Sequence, residues 1–246
     1  MVKAALEKSH EILSEAIERF NPDFIVSLVS GGNDSATAHH VAEECGIKID
    51  AILHIKTGTG IEETTNFVRE YYGKRKTRYI EADAGDAYEK YVMRKGFFGR
   101  GEKAHSYAYH VLKAGPLRKA LSLHFRKGKR GINILLLNGA RGAAESARRG
   151  RTKKEVYNYD PSNAGNIWVN HILHFTNEEK AEYLASRKIK INPVCVALDR
   201  SGECLCGTMQ EPNLRAEAAA LYPAWGGVDK RSARKGHGNL ALGLGS

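Results

Sequence analysis

Two stretches of the chain bring together residue types that suit chemistry. Ser30-Gly31-Gly32-Asn33-Asp34-Ser35 lies between a short β-branched apolar run and an Ala-rich run. A strand-to-helix turn of this kind points successive backbone N–H groups and a helix N-terminus at one spot, which makes an anion site. Gly31 and Gly32 let the backbone approach a phosphate without a Cβ in the way, while the Ser30 and Ser35 hydroxyls add hydrogen bonds. Asp34 is the odd member, because a carboxylate beside phosphates is repelled unless it caps the helix or helps hold Mg²⁺. The second stretch gathers Cys195, Cys204 and Cys206, three of the four cysteines, within twelve residues. Such thiolates ligate an iron–sulfur cluster or Zn²⁺, each of which takes four ligands, or two of them carry and resolve a persulfide. A cluster here needs Cys45, a His or an open iron position to complete it, and iron–sulfur is preferred to zinc. Cys45, at the end of the Ala-rich run, reads as a small buried hydrophobe.

Two further segments are cationic. Arg141, Arg148, Arg149, Arg151, Lys153 and Lys154 crowd into fourteen residues after Gly139. Gly96 to Tyr107 interleaves glycines, Phe97, Phe98 and Tyr107 with Arg100 and Lys103. Aromatic faces stack bases while cations meet phosphates, so this loop suits a nucleotide or nucleic acid; equally, Tyr107, Tyr109 and His110 suit the inner face of a helix.

The elements that must position these residues alternate. Leu6, Leu13, Ile17 and Phe20 recur at helical spacing and stop at Asn21-Pro22, predicting an amphipathic helix. Phe24–Val29 predicts a central strand, Ser35–Cys45 a helix ended by Gly46, and Ala51–Ile55 a second strand. A helix over Glu62–Tyr72, a strand over Thr77–Ile80, mixed helix over Ala104–Arg126 and a strand over Ile132–Leu137 continue the pattern. Strands separated by helices predict an α/β, doubly wound, mostly parallel sheet covered on both faces. Thr176 is the expected N-cap of a helix over Asn177–Arg187. The expected organisation is a nucleotide-binding α/β domain over 1–160, a helical and Cys-containing annex over 161–228 packed on it, and a flexible tail over 229–246.

Composition bounds the rest. The 246 residues allow one compact domain with a small annex, and 42% apolar with 27% charged residues is ordinary globular usage. No uninterrupted apolar run exceeds five residues, far short of the roughly 20 residues a bilayer needs, so no membrane partner is expected. Charged residues through the first helix exclude the apolar centre of a secretory signal. Few, clustered cysteines fit a reducing cytoplasm. Lys plus Arg number 38 against 28 Asp plus Glu, a formal charge of +10 that favours a polyanionic partner, nucleic acid or a polyphosphorylated nucleotide. A homodimer is compatible with all of this.

The first loop resembles the SGG-x-DS loop of the PP-loop ATP pyrophosphatases, which cleave ATP between the α and β phosphates and leave an adenylylated intermediate. Neither the Walker A pattern nor the dinucleotide fingerprint occurs. Many members carry Lys at the fourth position where this chain has Asn33, so part of the phosphate neutralisation must come from elsewhere. Three more segments resemble the phosphoadenosine-phosphosulfate (PAPS) reductase branch. Thr57-Gly58 followed by Glu63-Thr64 is similar to its TG-x(4)-ET pattern at the adenosine. Gly139-Ala140-Arg141 followed by Glu145-Ser146-Ala147-Arg148 resembles its G-x-R-x-x-E-S-x-x-R segment, with one extra residue. His174-Phe175-Thr176, Tyr183-Leu184 and Asn192-Pro193 resemble its W-T…Y-L…N-P stretch. The match runs in order from about Phe24 to Cys206.

The resemblance implies an adenine nucleotide α-hydrolase fold in which residues 30–35, Thr57, Gly58 and Gly139 bind ATP. It implies that Asp34 helps place Mg²⁺, and that Arg141 and Arg148 stabilise departing pyrophosphate. Assimilatory PAPS reductases end in a Glu-Cys-Gly-Leu-His nucleophile motif, and the stretch Lys235-Gly-His237-Gly-Asn-Leu carries no cysteine. The wording of 96–107 resembles the small PAPS reductase-like proteins of DNA phosphorothioation systems, which take sulfur from a cysteine desulfurase. The expected activity is therefore an ATP pyrophosphatase that adenylylates a DNA backbone phosphate for sulfur transfer. Reduction of PAPS or its unphosphorylated relative, tRNA thiolation, and a non-catalytic nucleic-acid-binding module are the alternatives.

Overall fold

The computed structural model describes residues 2–128, 131–142, 154–157, 166–210 and 212–226. Helix α1 (Val2–Phe20) leads into β1 (Phe24–Val29), α2 (Asn33–Glu44), β2 (Ala51–Lys56), α3 (Glu62–Tyr72) and β3 (Arg78–Asp83). After α4 (Ala87–Lys95), a continuous helical run holds α5 (Glu102–Tyr109), a π-turn (His110–Ala114), α6 (Gly115–Leu121) and a second π-turn (Ser122–Arg126). Pro116 has no amide to donate into the preceding turn, and the first π-turn lies immediately ahead of it. Then follow β4 (Ile134–Leu137), β5 (Val156–Tyr157), β6 (Asn166–Val169), α7 (Asn177–Ser186), α8 (Pro193–Leu198) and α9 (Pro212–Leu221).

The sheet order is β3-β2-β1-β4-β6-β5, with the first five strands parallel and the two-residue β5 antiparallel at the edge. Side chains alternate between faces as the pleat requires. Ile134 and Leu136 pack with Leu117, Leu121 and Phe125 of the long helical run. Leu135 and Leu137 pack with Ile12, Leu13 and Ala16 of α1. On that same side Ile52 and Val29 meet Phe67, Val68 and Tyr72 of α3. The parallel sheet with helices on both faces is thus as the alternation implies.

Strand β6 lies beyond residue 160 and pairs with β4, so the expected annex contributes a strand to the sheet, and the expected boundary runs through the core. The expected tail, 229–246, is outside the described residues, as are Glu145, Ser146 and Arg148. Among the described residues no helix is long and apolar enough to cross a membrane. The chain leaves β1 toward β2 and β3 on one side and returns to β4 on the other. The crevice at the C-terminal ends of β1 and β4 is therefore the topological switch point, where sheets of this class bind ligands.

Candidate active site

The first loop sits at that switch point. Gly31 turns with φ +73°, a left-handed backbone where a side chain is strained, and a Cβ there would meet Thr64 Cγ2 at 2.8 Å. Gly32 precedes α2 without any side-chain cap. The first-turn amides of α2 thus have no side-chain cap and a helix dipole behind them, the arrangement that attracts phosphate, with the Asn33 amide meeting the Cys195 sulfur. The Ser30 amide donates to Ser35 Oγ at 3.1 Å, and that hydroxyl donates to the Gly32 carbonyl at 2.9 Å. Ser30 Oγ lies 3.2 Å from Ser35 Oγ. Both hydroxyls hold the shape of the turn. Gly139 explains itself by proximity: a Cβ would sit 2.7 Å from the Ser35 amide nitrogen, so only glycine lets the end of β4 press against the start of α2.

Asp34 projects from the first turn of α2. Its Oδ1 accepts from Arg141 Nε at 2.8 Å and from Lys180 Nζ at 3.0 Å. Arg141 is 2% exposed and also donates to the Phe175 carbonyl (3.1 Å) and Asn177 Oδ1 (2.9 Å). What the structure shows of Arg141 is a strut fixing Asp34 to the start of α7. Lys180, which sequence reading missed, rides on α7 with 19% of its side chain exposed. It supplies cationic charge at the loop that carries Asn33 in place of lysine. The helix that brings it there begins with a full capping box: Thr176 Oγ1 accepts from the Glu179 amide at 3.1 Å, and Glu179 accepts from the Thr176 amide at 3.0 Å. Its spacing from Thr176, four residues on, was the available signal.

The segment 192–206 lies across two loops at once. Asn192, buried, donates from Nδ2 to the Gly31 carbonyl (3.0 Å) and to Thr64 Oγ1 (3.1 Å), while its Oδ1 caps α8 at the Val194 amide. Thr64 Oγ1 donates to the Ser201 carbonyl. At the end of β2, Thr57 Oγ1 donates to the Glu203 carbonyl at 2.7 Å, and Thr59 Oγ1 contacts Cys204 Sγ at 3.7 Å. Gly58, φ +73°, passes close beneath the Gly85 carbonyl. Thr57 and Thr59 are both buried under this segment.

The thiols divide between the loops. Cys195 Sγ donates to the Gly31 carbonyl at 3.3 Å, and burial pushes its pKa up to about 11, so it is a neutral stitch on the first loop. Cys204 and Cys206 lie beside the second loop, packed in one cluster with Phe98 and Leu112. Among the described residues no three His, Cys, Asp or Glu side chains come together as a metal requires. The expected ligand set Cys195, Cys204 and Cys206 is therefore not assembled in this arrangement; the carbonyl bond that pins Cys195 to the first loop is the reason. Lys113, on the first π-turn and 32% exposed, lies 3.0 Å from Glu203 Oε2. Burial works against its charge, yet Glu203 and the two sulfurs outweigh that and leave its pKa raised.

The aromatic loop turns one ring, Phe98, inward and leaves most of its residues exposed. Phe98 is buried and stacks on Tyr91 with ring centroids 4.2 Å apart, in the same apolar cluster as Cys206. Tyr107 remains half exposed at 51%. Arg148 lies outside the described residues.

Comparison with known proteins fits this geometry. The phosphoadenosine phosphosulfate reductase domain model matches residues 24–200. No curated protein matches the sequence. Among solved structures, a PAPS reductase from Candida auris in a phosphate complex is similar at 14% identity, over 76% of this chain and 83% of that one, with TM-score 0.52. The FMN adenylyltransferase of Candida glabrata, with FMN and the ATP analogue AMPCPP, aligns at 15% identity over 80% of this chain and 61% of that one, TM-score 0.57. Yeast FAD synthetase with FAD aligns at 14% identity over 78% of this chain and 61% of that one, TM-score 0.53. At such identities the likeness is one of fold. With the family model covering most of its length and the sheet, switch point and Gly loop in place, the chain belongs to the phosphoadenosine phosphosulfate reductase domain family, in the adenine nucleotide α-hydrolase fold.

Proposed function

We propose that the protein is an ATP pyrophosphatase that adenylylates an acceptor for sulfur transfer, the acceptor being a backbone phosphate of DNA. The observation that carries this reading is the uncapped N-terminus of α2 at the switch point, flanked by the Asp34–Lys180–Arg141 group, with a thiol pair docked on the neighbouring loop. The net charge of +10 supports a polyanionic acceptor.

In this reading the first-turn amides of α2 and residues 30–35 receive the ATP phosphates, and Thr57 and Gly58 lie at the adenosine. A non-bridging oxygen of the acceptor phosphate attacks the α-phosphorus and pyrophosphate leaves. Charge grows on the departing β-phosphate, where Lys180 and the helix dipole oppose it. Arg141 acts through Asp34, and Arg148, outside the described residues, is assigned to the departing pyrophosphate by its motif alone. Asp34, the carboxylate of the first turn, would hold Mg²⁺ together with the phosphates; the ion supplies charge neutralisation there. Hydrosulfide then attacks the adenylylated phosphorus, a P–S bond forms, and AMP leaves with the original oxygen. No side-chain nucleophile is needed for adenylylation, so positioning and charge stabilisation do the work. The sulfur originates from a cysteine desulfurase. A cytoplasmic setting fits the reduced thiols.

The family match favours a second reading, reduction of PAPS or its unphosphorylated relative with sulfite release. One assay separates the readings: pyrophosphate release from ATP by anaerobically prepared protein, with DNA, tRNA or neither present, alongside sulfite release from PAPS with a thiol donor. Pyrophosphate release stimulated by DNA is expected. Stimulation by tRNA alone overturns the acceptor, and sulfite from PAPS without pyrophosphate from ATP overturns the reaction.

A further inference from the structure

A phosphorus centre that is to acquire a thio group needs sulfur at the oxidation level of sulfide, whereas a persulfide donor carries its transferable sulfur two electrons higher. Two electrons are what a pair of thiols gives up when it closes a disulfide. The segment at 204–206 has the parts for that exchange. Cys204 and Cys206 pack in one apolar cluster, with Leu205 between them anchored by its amide to the Thr59 carbonyl at 3.3 Å. Their exposures differ: Cys206 is 4% exposed, whereas Cys204 is only partly covered. Lys113, itself partly open to solvent, acts electrostatically on both sulfurs. It comes from a π-turn, a distortion that recurs where a helix re-aims a functional side chain. Thr208 Oγ1 lies 3.3 Å from Cys206 Sγ and 3.1 Å from His105 Nδ1.

We propose that Cys204 and Cys206 form a two-thiol relay that accepts a sulfane sulfur from a persulfide and releases it as hydrogen sulfide beside the Thr57–Thr59 loop, in place of binding a metal.

The steps balance. Cys204, its proton passed to the Cys206 thiolate, attacks the terminal sulfur of R–S–SH; a Cys204–S–SH bond forms, the donor S–S bond breaks, and RS⁻ leaves. Cys206 then attacks Cys204 Sγ; the Cys204–Cys206 disulfide forms, and the outer sulfur departs with the Cys206 proton as H₂S. The pair is oxidised by two electrons and the sulfur reduced by two. A low-molecular-weight thiol, oxidised to its own disulfide, resets the pair. The order follows exposure: the partly open Cys204 meets the donor, and the covered Cys206 resolves. The hydrogen bond from Cys204, then Thr208 and Lys113, pulls the Cys206 thiol down to about 6, while the same bond and burial raise Cys204. Near neutral pH the two sulfurs thus share one proton and one negative charge. This proposal rests on the sulfur-transfer reading only for the destination of the sulfur; the thiol chemistry needs no nucleotide.

The test uses the reduced, full-length protein, anaerobic and without ATP, mixed with one equivalent of glutathione persulfide. Intact mass spectrometry and trapping of hydrogen sulfide by a bimane follow the reaction. Wild type is expected to lose two hydrogens and release one sulfide. Cys206→Ser is expected to retain one added sulfur on Cys204 and to release sulfide about tenfold more slowly. Cys204→Ser does neither, and Cys45→Ser matches wild type. Wild type that gains sulfur without closing the disulfide overturns the relay. So does a disulfide joining Cys195, or protein that carries iron or zinc lost on changing Cys204 or Cys206. Because the measurements on wild type need no variant to fold and no ATP, loss of pyrophosphatase activity leaves this result standing.

Discussion

Two cationic centres flank the β1 strand end, and they are finished to different degrees. At the first loop Arg141 is almost wholly buried, and each of its three nitrogens donates to a different residue, Asp34, the Phe175 carbonyl and Asn177. At the second, Lys113 is partly open and faces a carboxylate whose Oε1 has no hydrogen-bond partner, beside the Cys204 and Cys206 thiols. A multiply bonded network gains rigidity, because each group is fixed by several others. An incomplete one keeps the capacity to change protonation or bonding state at little structural cost. The first centre positions, and the second reacts.

The contrast breaks most visibly on stability. Arg141→Ala should leave Asp34 and two further acceptors without their buried partner and cost about 3–5 kcal/mol in urea unfolding. An unchanged unfolding midpoint with lost catalysis would make the first centre reactive too.

Acid should separate the fold from the thiols. Burial pushes the His171 imidazole down to about 4, and its ring donates to the Ala38 carbonyl at 2.8 Å. Its folded pKa is depressed, so its contribution is complete above about 6.5 and is lost as pH falls toward 4, about 3 kcal/mol in all. The Cys206 thiolate, with a pKa of about 6, should disappear earlier in the same titration, read by thiolate ultraviolet absorbance. Coincident loss of absorbance and stability would tie the two together. Lys180→Met should lower kcat/KM for pyrophosphate release by about a hundredfold, with partial recovery in Lys180→Arg and little change in unfolding. The smallest effect belongs to Thr176→Ala, which removes the cap of the helix carrying Lys180 and should cost about 1 kcal/mol.

The frame of the molecule was legible because period and punctuation agree. Phe24–Val29 and Glu62–Tyr72 occupy the spans their residues imply, and Thr176 caps its helix as its hydroxyl and Glu179 suggest. Strand β6 was not legible: Asn166-Ile-Trp-Val169 is four residues long, and its identity as a strand comes from pairing with β4, a contact local pattern does not encode. Helix α4 and the π-turns were missed for a related reason, since their spacing is decided by packing against 98–112 and by Pro116. At the site, residue types named the Gly loop and the clustered thiols. The partition of those thiols depends on which carbonyl each one meets, and Lys180 reaches Asp34 from 146 residues away.

The docking of 192–206 leans on the main chain. Thr57 and Thr64 bond to the carbonyls of Glu203 and Ser201, and Leu205 presents its amide to Thr59. Peptide groups are common to every residue, so these three anchors do not depend on which side chains stand at 201, 203 and 205, although Glu203 and Cys204 add side-chain contacts of their own to Lys113 and Thr59. Selection can therefore rewrite the reagents displayed over the pocket while the backbone that displays them stays put.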